Sequence, residues 1–183
     1  MRKLVLQLTI ATMLFSCGSD ERAADIDMVS ADLATDKLLY EDIVKHHNKL
    51  LNNDGTANKL MATELYVMAV DYLDKFPDSE SRFEVMEYAR AASAGADNFR
   101  NTEQMLKMMI EEFPDHELRP EKMSLRAFTL WHLGDIAGST KIYEQIIQEY
   151  PNSDWAKDAK GSLRMNELGT EDGKLPAYFE KPQ

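Results

Sequence analysis

The sequence has few of the residues that break helices or build reactive centres. Its 183 residues include one cysteine, four histidines, six prolines and eight glycines. A single cysteine excludes a disulfide within the chain and a metal site made of several cysteines. The scarcity of proline and glycine leaves room for long helices. With 44% hydrophobic and 29% charged residues, the composition is that of a globular domain with a real core.

Positive charge is also scarce. Lysine and arginine number 21 against 32 aspartates and glutamates, so the formal net charge is −11. The negative electrostatic potential of such a protein repels phosphate backbones and acidic lipid headgroups. We therefore do not expect nucleic acid as a partner.

The sequence contains no recognisable catalytic or metal-binding pattern. His46 and His47 are adjacent, so their side chains point about 100° apart on a helix and miss the i, i+4 spacing of metal sites. His116 and His132 stand alone, and Gly-rich phosphate loops and serine-nucleophile motifs are absent. We expect no enzymatic activity, no metal, no cofactor and no small-molecule substrate.

The N-terminus has the layout of a secretory signal. Arg2 and Lys3 precede a mostly apolar stretch, residues 4–15, which is too short to span a bilayer comfortably. Either an ordinary signal peptide or a buried N-terminal helix would also fit this layout. A third interpretation is favoured by Cys17, the only cysteine of the chain, which follows the apolar stretch directly in the sequence Leu-Phe-Ser-Cys.

That tetrapeptide resembles the lipobox of bacterial lipoproteins. The resemblance implies that residues 1–16 are a signal peptide, that Cys17 becomes the mature N-terminus, and that its thiol carries a covalent diacylglycerol. Gly18 stands where an aspartate would signal retention in the inner membrane, so the outer membrane is the expected location, with the domain facing the periplasm. Exposure at the cell surface is the alternative. Residues 17–35 are small and acidic, and we expect them to form a flexible tether.

A short sequence motif, an aromatic residue followed by proline, recurs along the rest of the chain. The pairs Phe76-Pro77, Phe113-Pro114 and Tyr150-Pro151 follow each other at intervals of 37 residues. Equal spacing of this kind indicates a repeat architecture. Proline ends a helix and the Asn, Asp or Ser after it can cap the next one, so each pair predicts a break between two helices.

Apolar residues at helical spacing predict seven helices. They occupy residues 38–51, 60–75, 81–94, 98–112, 120–133, 135–149 and 154–168. Gly95 and Gly134 are expected to form the turns inside two hairpins, with Asp97 and Asp135 as the following caps. Such hairpins bury their apolar faces only by stacking.

The pattern resembles the tetratricopeptide repeat (TPR), most clearly through Ala127, Gly134, Tyr143 and Pro151. The resemblance implies an all-α, right-handed superhelix of stacked helix hairpins over residues 36–168, followed by a tail of residues 169–183. Long links of the form aromatic-Pro-Asn/Asp-Ser are similar to those of envelope TPR proteins, notably the lipoprotein subunit of the barrel-assembly machinery and the Tol-Pal-associated protein.

TPR arrays bind peptides or helices in a concave groove lined by the first helix of each unit. Carried over to this chain, that geometry implies a groove formed by Glu84, Glu87, Ser124, Phe128 and Trp131. The aromatic pair would anchor a partner and the two glutamates would favour a basic segment. The alternative is that Phe128 and Trp131 pack against neighbouring helices.

These observations favour a protein without catalytic activity. The leading hypothesis is a membrane-anchored scaffold or adaptor in the cell envelope, in an outer-membrane assembly or Tol-Pal-type complex, with an envelope protein as partner. The alternative hypothesis is a periplasmic or surface module that binds a peptide or a peptidoglycan-derived ligand.

Overall fold

The computed structural model describes residues 20–51 and 55–171 and is all-helical over them, which confirms the all-α part of the predicted fold class. A single bridge between Leu51 and Ala57 is the only strand-like pairing in these two ranges. Cys17, the signal peptide of residues 1–16 and the tail beyond residue 171 lie outside them. The seven helices are α1 (Asp20–His47), α2 (Lys59–Lys75), α3 (Arg82–Gly95), α4 (Phe99–Glu112), α5 (Arg119–His132), α6 (Ile136–Glu149) and α7 (Asp154–Glu171).

The structure differs from the sequence prediction at the start of the domain. Helix α1 begins at Asp20, whereas the sequence predicts a flexible tether for residues 17–35 and a domain that starts at residue 36. Residues 20–47 contain neither glycine nor proline. The helical part of the chain therefore extends to Asp20.

The recurring aromatic-proline pairs end three helices, as predicted. Phe76, Phe113 and Tyr150 are the C-cap residues of α2, α4 and α6. Each donates its backbone N–H to the carbonyl four residues earlier, and the proline that follows cannot extend the helix.

The turns between α3 and α4 and between α5 and α6 repeat at the same interval. Gly134 and Asp135 are the turn and the cap of the second hairpin, as predicted, but the turn of the first differs from the prediction. Asp97 and Gly134 have positive φ angles of 58° and 83°. The prediction of Gly95 as the turn and Asp97 as the cap was therefore wrong. An aspartate tolerates the left-handed region better than most residues, so Asp97 can take the place of glycine between α3 and α4. Gly95 instead allows a close approach, since a Cβ there would lie 3.1 Å from the Cβ of Ala57.

Side chains cap the second helix of each of these hairpins. Asn98 accepts a hydrogen bond from the backbone N–H of Asn101 at 3.1 Å, and Asp135 accepts one from Gly138 at 2.8 Å. The two caps stand 37 residues apart, so the repeat extends to individual hydrogen bonds.

Two ion pairs also repeat at this interval. Arg82 pairs with Glu112 at 2.7 Å and Arg119 pairs with Glu149 at 2.5 Å. Both arginine side chains are largely buried, with 16% and 15% of their surface exposed. In each case the arginine is the first residue of one helix, α3 or α5, and the glutamate is the last residue of the next, α4 or α6. The ion pair therefore joins the two ends of the hairpin that lie opposite its turn. Arg119 also donates to the hydroxyl of Tyr150 at 2.8 Å.

Consecutive helices pack against each other along the whole chain, and α1 also contacts α3 while α5 contacts α7. The buried apolar side chains form two clusters. The first joins α1 to α4 around Ile43, Leu65 and Met105. The second joins α5, α6 and α7 around Met123 and Ile146, with α4 contributing Ile110 from its edge.

A substitution of Ile146 tests whether the second apolar cluster stabilises the fold, because the Ile146 side chain is fully buried. We expect Ile146→Ala to lower the free energy of unfolding by about 2–5 kcal/mol, from lost burial and the cavity left behind. Val67 on α2 is a matched control since it is 61% exposed, and Val67→Ala should change stability by less than about 0.5 kcal/mol. Urea unfolding measures both, and equal effects would contradict this assignment of the core.

Candidate binding surface

Aromatic side chains gather at the C-terminal end of α5. The rings of Phe128 and Trp131 are nearly parallel, at 15°, with their centroids 6.5 Å apart. The imidazole of His132 stands almost perpendicular to both, at 78° and 88°. Phe128 is 49% exposed. The three rings therefore present a structured aromatic face to the solvent.

His132 connects this face to the preceding helix. Its ring stacks on Phe99 of α4, with an interplanar angle of 1° and a centroid distance of 4.9 Å. Burial lowers the pKa of His132 below its ordinary value, because a partly dry environment disfavours the charged form. His132 thus lies between Phe99 of α4 and Phe128 and contacts both rings.

A pocket of about 190 Å³ opens beside the aromatic pair, between α5 and α7. Phe128 and Met165, which is 54% exposed, lie at its mouth, and the buried Tyr143 lies in its wall. Asn166 contributes a polar edge, and its side-chain amide donates to Ser139 and Thr140 at 3.2 and 3.1 Å. The remaining lining residues are Trp131 and Ser162. The pocket has the size and polarity to take one large apolar side chain.

The structure brings Phe128 and Trp131 together, as the sequence predicts, and Ser124 lies half-buried one turn before Phe128 on the same helix. The contribution of α7 to the pocket does not follow from the repeat pattern. Met165 and Asn166 reach it because α7 packs against α6 and also contacts α5. The large apolar Met165 is a weak signal of this in the sequence, since nothing there distinguishes it from a core methionine.

Glu84 lies away from the aromatic face, near α1. Its carboxylate is exposed and accepts hydrogen bonds from the hydroxyls of Tyr40 at 2.7 Å and Tyr88 at 2.6 Å. Burial, together with the negative charge of Glu84, raises the pKa of both phenols. Glu84 therefore holds α1 and α3 together at this point.

Glu87 belongs to an ionic network between α3 and α5. It pairs with Arg90 at 2.6 Å and with Lys122 at 3.0 Å. Lys122 is buried, with 3% of its side chain exposed, and also pairs with Glu121 at 2.9 Å. Burial alone would raise the pKa of Glu87, but Arg90 and Lys122 outweigh it and lower that pKa. Because two cations already surround this carboxylate, attraction of a basic partner cannot depend on Glu87 alone.

The described ranges contain no helix long and apolar enough to cross a membrane. They also hold no group of three or more His, Cys, Asp or Glu side chains placed to bind a metal ion. Neither a protein-family model nor a curated protein matches the chain. The candidate site is thus defined by the aromatic face, the pocket and the network around Lys122.

The network makes stability depend on pH. The folded-state pKa of Glu87 lies below its ordinary value of 4.5, so its ion pairs add stability above that value and lose it as the pH falls further. We expect Glu87→Gln to lower the free energy of unfolding at pH 7 by about 1–3 kcal/mol, because the buried ammonium of Lys122 loses a charged partner. The deficit should shrink steadily below pH 4.5, as the wild-type carboxylate also becomes neutral.

Urea unfolding from pH 7 to pH 3 measures this difference. Glu64 on α2 is exposed, so Glu64→Gln is the matched control and should stay within about 0.5 kcal/mol of wild type. A Glu87→Gln deficit that persists unchanged at low pH would show that lost packing, and not charge, is responsible.

Proposed function

We propose that this protein is a lipid-anchored adaptor of the bacterial cell envelope, without catalytic activity, which binds a partner protein through the aromatic face of α5. The observation that carries the proposal is the half-exposed Phe128 beside Trp131, with an apolar pocket next to them. Aromatic side chains next to a pocket are typical anchors of protein interfaces, where few residues supply most of the binding energy. The partner would insert one large apolar side chain.

The internal repeat supports a TPR-like stacking of the hairpins. Helix ends, caps, positive φ angles and arginine-glutamate pairs all recur at the same 37-residue interval. Stacked hairpins present the first helix of each unit along one extended surface, which suits the binding of peptides or helices. In such a right-handed superhelix the partner would lie along α3, α5 and α7.

The sequence around Cys17 supports the anchor. Its position after an apolar run, in Leu-Phe-Ser-Cys, is that of a lipid-modified cysteine. Each buried CH₂ of an acyl chain contributes about 0.8 kcal/mol to membrane binding, so two or three chains hold a protein durably. Gly18 favours the outer membrane, with the helices facing the periplasm. An outer-membrane assembly or Tol-Pal-type complex would then supply the partner.

The alternative is a binding module for a peptide or a peptidoglycan-derived ligand. The polar Ser162 and Asn166, which line the pocket beside the aromatic rings, favour this alternative. A sugar ring can stack on an aromatic face while amide and hydroxyl groups bind its substituents. Binding of isolated peptidoglycan fragments by the purified protein would support the module, whereas co-purification of an envelope protein supports the adaptor.

Lipid anchoring should depend on Cys17, since it is the only thiol in the chain. We expect Cys17→Ala to abolish labelling by radioactive palmitate and to move the protein from the membrane to the soluble fraction. Ser16→Ala, which keeps a small residue before the cysteine, should leave both unchanged. Continued labelling of the Cys17→Ala variant would contradict the lipoprotein proposal.

Binding of the partner should depend on Trp131 and Phe128. We expect Trp131→Ala and Phe128→Ala each to weaken capture of the envelope partner at least tenfold, equivalent to about 1.4 kcal/mol. Leu60→Ala on α2 removes a more exposed apolar side chain, at 70%, and should have no effect. Circular dichroism and the melting temperature should stay close to wild type for Phe128→Ala. Normal capture by both aromatic variants would refute the proposed surface.

A further inference from the structure

One buried position of the repeat is charged where its counterparts are apolar. Lys122 on α5 is almost fully buried, at 2% exposure. The residues 37 positions before and after it are Val85 and Ala159, which are buried apolar side chains of the first and the second cluster. The position that packs as an apolar residue in α3 and α7 therefore holds an ammonium group in α5.

The step from α3 to α5 also lacks direct packing of the two helices. Helix α1 contacts α3 and α5 contacts α7, whereas α3 and α5 make no such contact in the part of the chain that the structure describes. Lys122 crosses the space between them and pairs with Glu87 at 3.0 Å. The other connection between the two clusters runs through α4, which packs against α5 and contributes Ile110 to the second cluster.

We propose that the chain consists of two bodies, α1–α4 and α5–α7, and that the ion pair of Lys122 with Glu87 is a latch between them. The bodies turn about the interface of α4 with α5, so the latch opens and closes the space between α3 and α5. This inference concerns motion within the chain, and it depends neither on the lipid anchor nor on the identity of a partner.

Both charges of the latch keep a partner when it opens. Glu87 pairs with Arg90 on its own helix at 2.6 Å, and Lys122 pairs with Glu121 on its own helix at 2.9 Å. Breaking a buried ion pair is costly when it leaves one charge buried without a partner. Opening of the latch leaves neither charge alone and lets water reach both. The open arrangement is therefore accessible from the closed one.

An apolar side chain at position 122 would hold the two bodies in one arrangement. Opening an apolar contact exposes its surface to water, and no new interaction compensates for the loss. An ammonium group that leaves a carboxylate gains hydration instead, which offsets part of the lost attraction. The flexible four-carbon stem of Lys122 can also follow Glu87 through several positions. This step can therefore move, while the steps with Val85 and Ala159 stay closed.

The interface of α4 with α5 has the contacts that an axis of rotation requires. The two helices pack against each other, and Arg126 of α5 pairs with Glu103 of α4 at 2.8 Å. Rotation about this interface changes the distance between α3 and the aromatic face at Phe128. A partner that lies along the first helices of the hairpins would contact both, so the latch sets the width of the surface available to it.

Distances between pairs of spin labels test the proposal in the full chain. In a Cys17→Ala background, Thr63→Cys on α2 and Lys160→Cys on α7 place one exposed label on each body. Thr63→Cys with Gln104→Cys on α4 places both labels on the first body and is the control pair. We expect the distance distribution between the two bodies to be about twofold broader than that of the control pair, because the angle between the bodies varies.

Two substitutions should change this distribution in opposite directions. Lys122→Met replaces the ammonium group with an apolar side chain of similar length, and should narrow the distribution to the width of the control pair. Glu87→Gln weakens the latch, and should raise by about twofold the share of the distances that Lys122→Met removes. Lys141→Met removes an exposed lysine on α6 and should leave the distribution unchanged. Circular dichroism checks that each variant is folded.

Three results would overturn the proposal. A distribution between the bodies that is no broader than that of the control pair would show that the chain is a single rigid body. A broad distribution that Lys122→Met leaves unchanged would place the motion away from the latch. If Lys122→Met does not fold, Glu87→Gln decides alone, and a distribution unchanged by Glu87→Gln would refute the role of the ion pair.

Discussion

The structure depends on the burial of one apolar stripe per helix. A single helix cannot cover its own stripe, and each described helix packs against the next one along the chain. The links that follow α2, α4 and α6 each begin with an aromatic residue and a proline, so these three helices end at the same interval of 37 residues. Within the described ranges α7 is the last helix of the stack. The pocket lies at that end, where the faces of α5 and α7 meet.

Ion pairs join the two apolar clusters in addition to the apolar contacts of α4. Helices α3 and α5 do not pack closely against each other, and Lys122 spans the space between them to reach Glu87. A buried ammonium is costly unless it is paired, and Lys122 has both Glu87 and Glu121 as partners. Arg126 of α5 likewise pairs with Glu103 of α4 at 2.8 Å. The ionic network thus joins α5 to both helices of the preceding hairpin, beside the face that carries Phe128.

Much of the fold could be predicted because its signals are local. Proline, capping residues and the apolar period act within one turn of a helix, so the positions of six helices after residue 55 follow from the sequence to within a few residues. The start of α1 could not be predicted, because an acidic and weakly periodic segment resembles a tether as much as a helix. Asp97 was missed as a turn residue because glycine is the usual occupant of the left-handed region and Gly95 stands nearby.

The candidate site was only partly predictable. Phe128 and Trp131 are neighbours on one helix face, so their proximity follows from helical spacing. The ion pairs of Glu87 and the contacts of Met165 depend on packing between helices far apart in sequence, and no local pattern encodes them. Both glutamates expected in the groove have partners within the protein, Glu84 with two tyrosine hydroxyls and Glu87 with Arg90 and Lys122, so the aromatic face is the main feature of the candidate surface.

The central claim is that the aromatic face of α5 contacts an envelope protein. A photo-crosslinking amino acid at position 128, activated in intact cells, tests it most directly, with position 67 on the exposed face of α2 as the reference. The account predicts a discrete adduct with one membrane-envelope protein from position 128, lost on Trp131→Ala and absent from position 67. Adducts of equal amount and identity from both positions, or none from position 128, would contradict it.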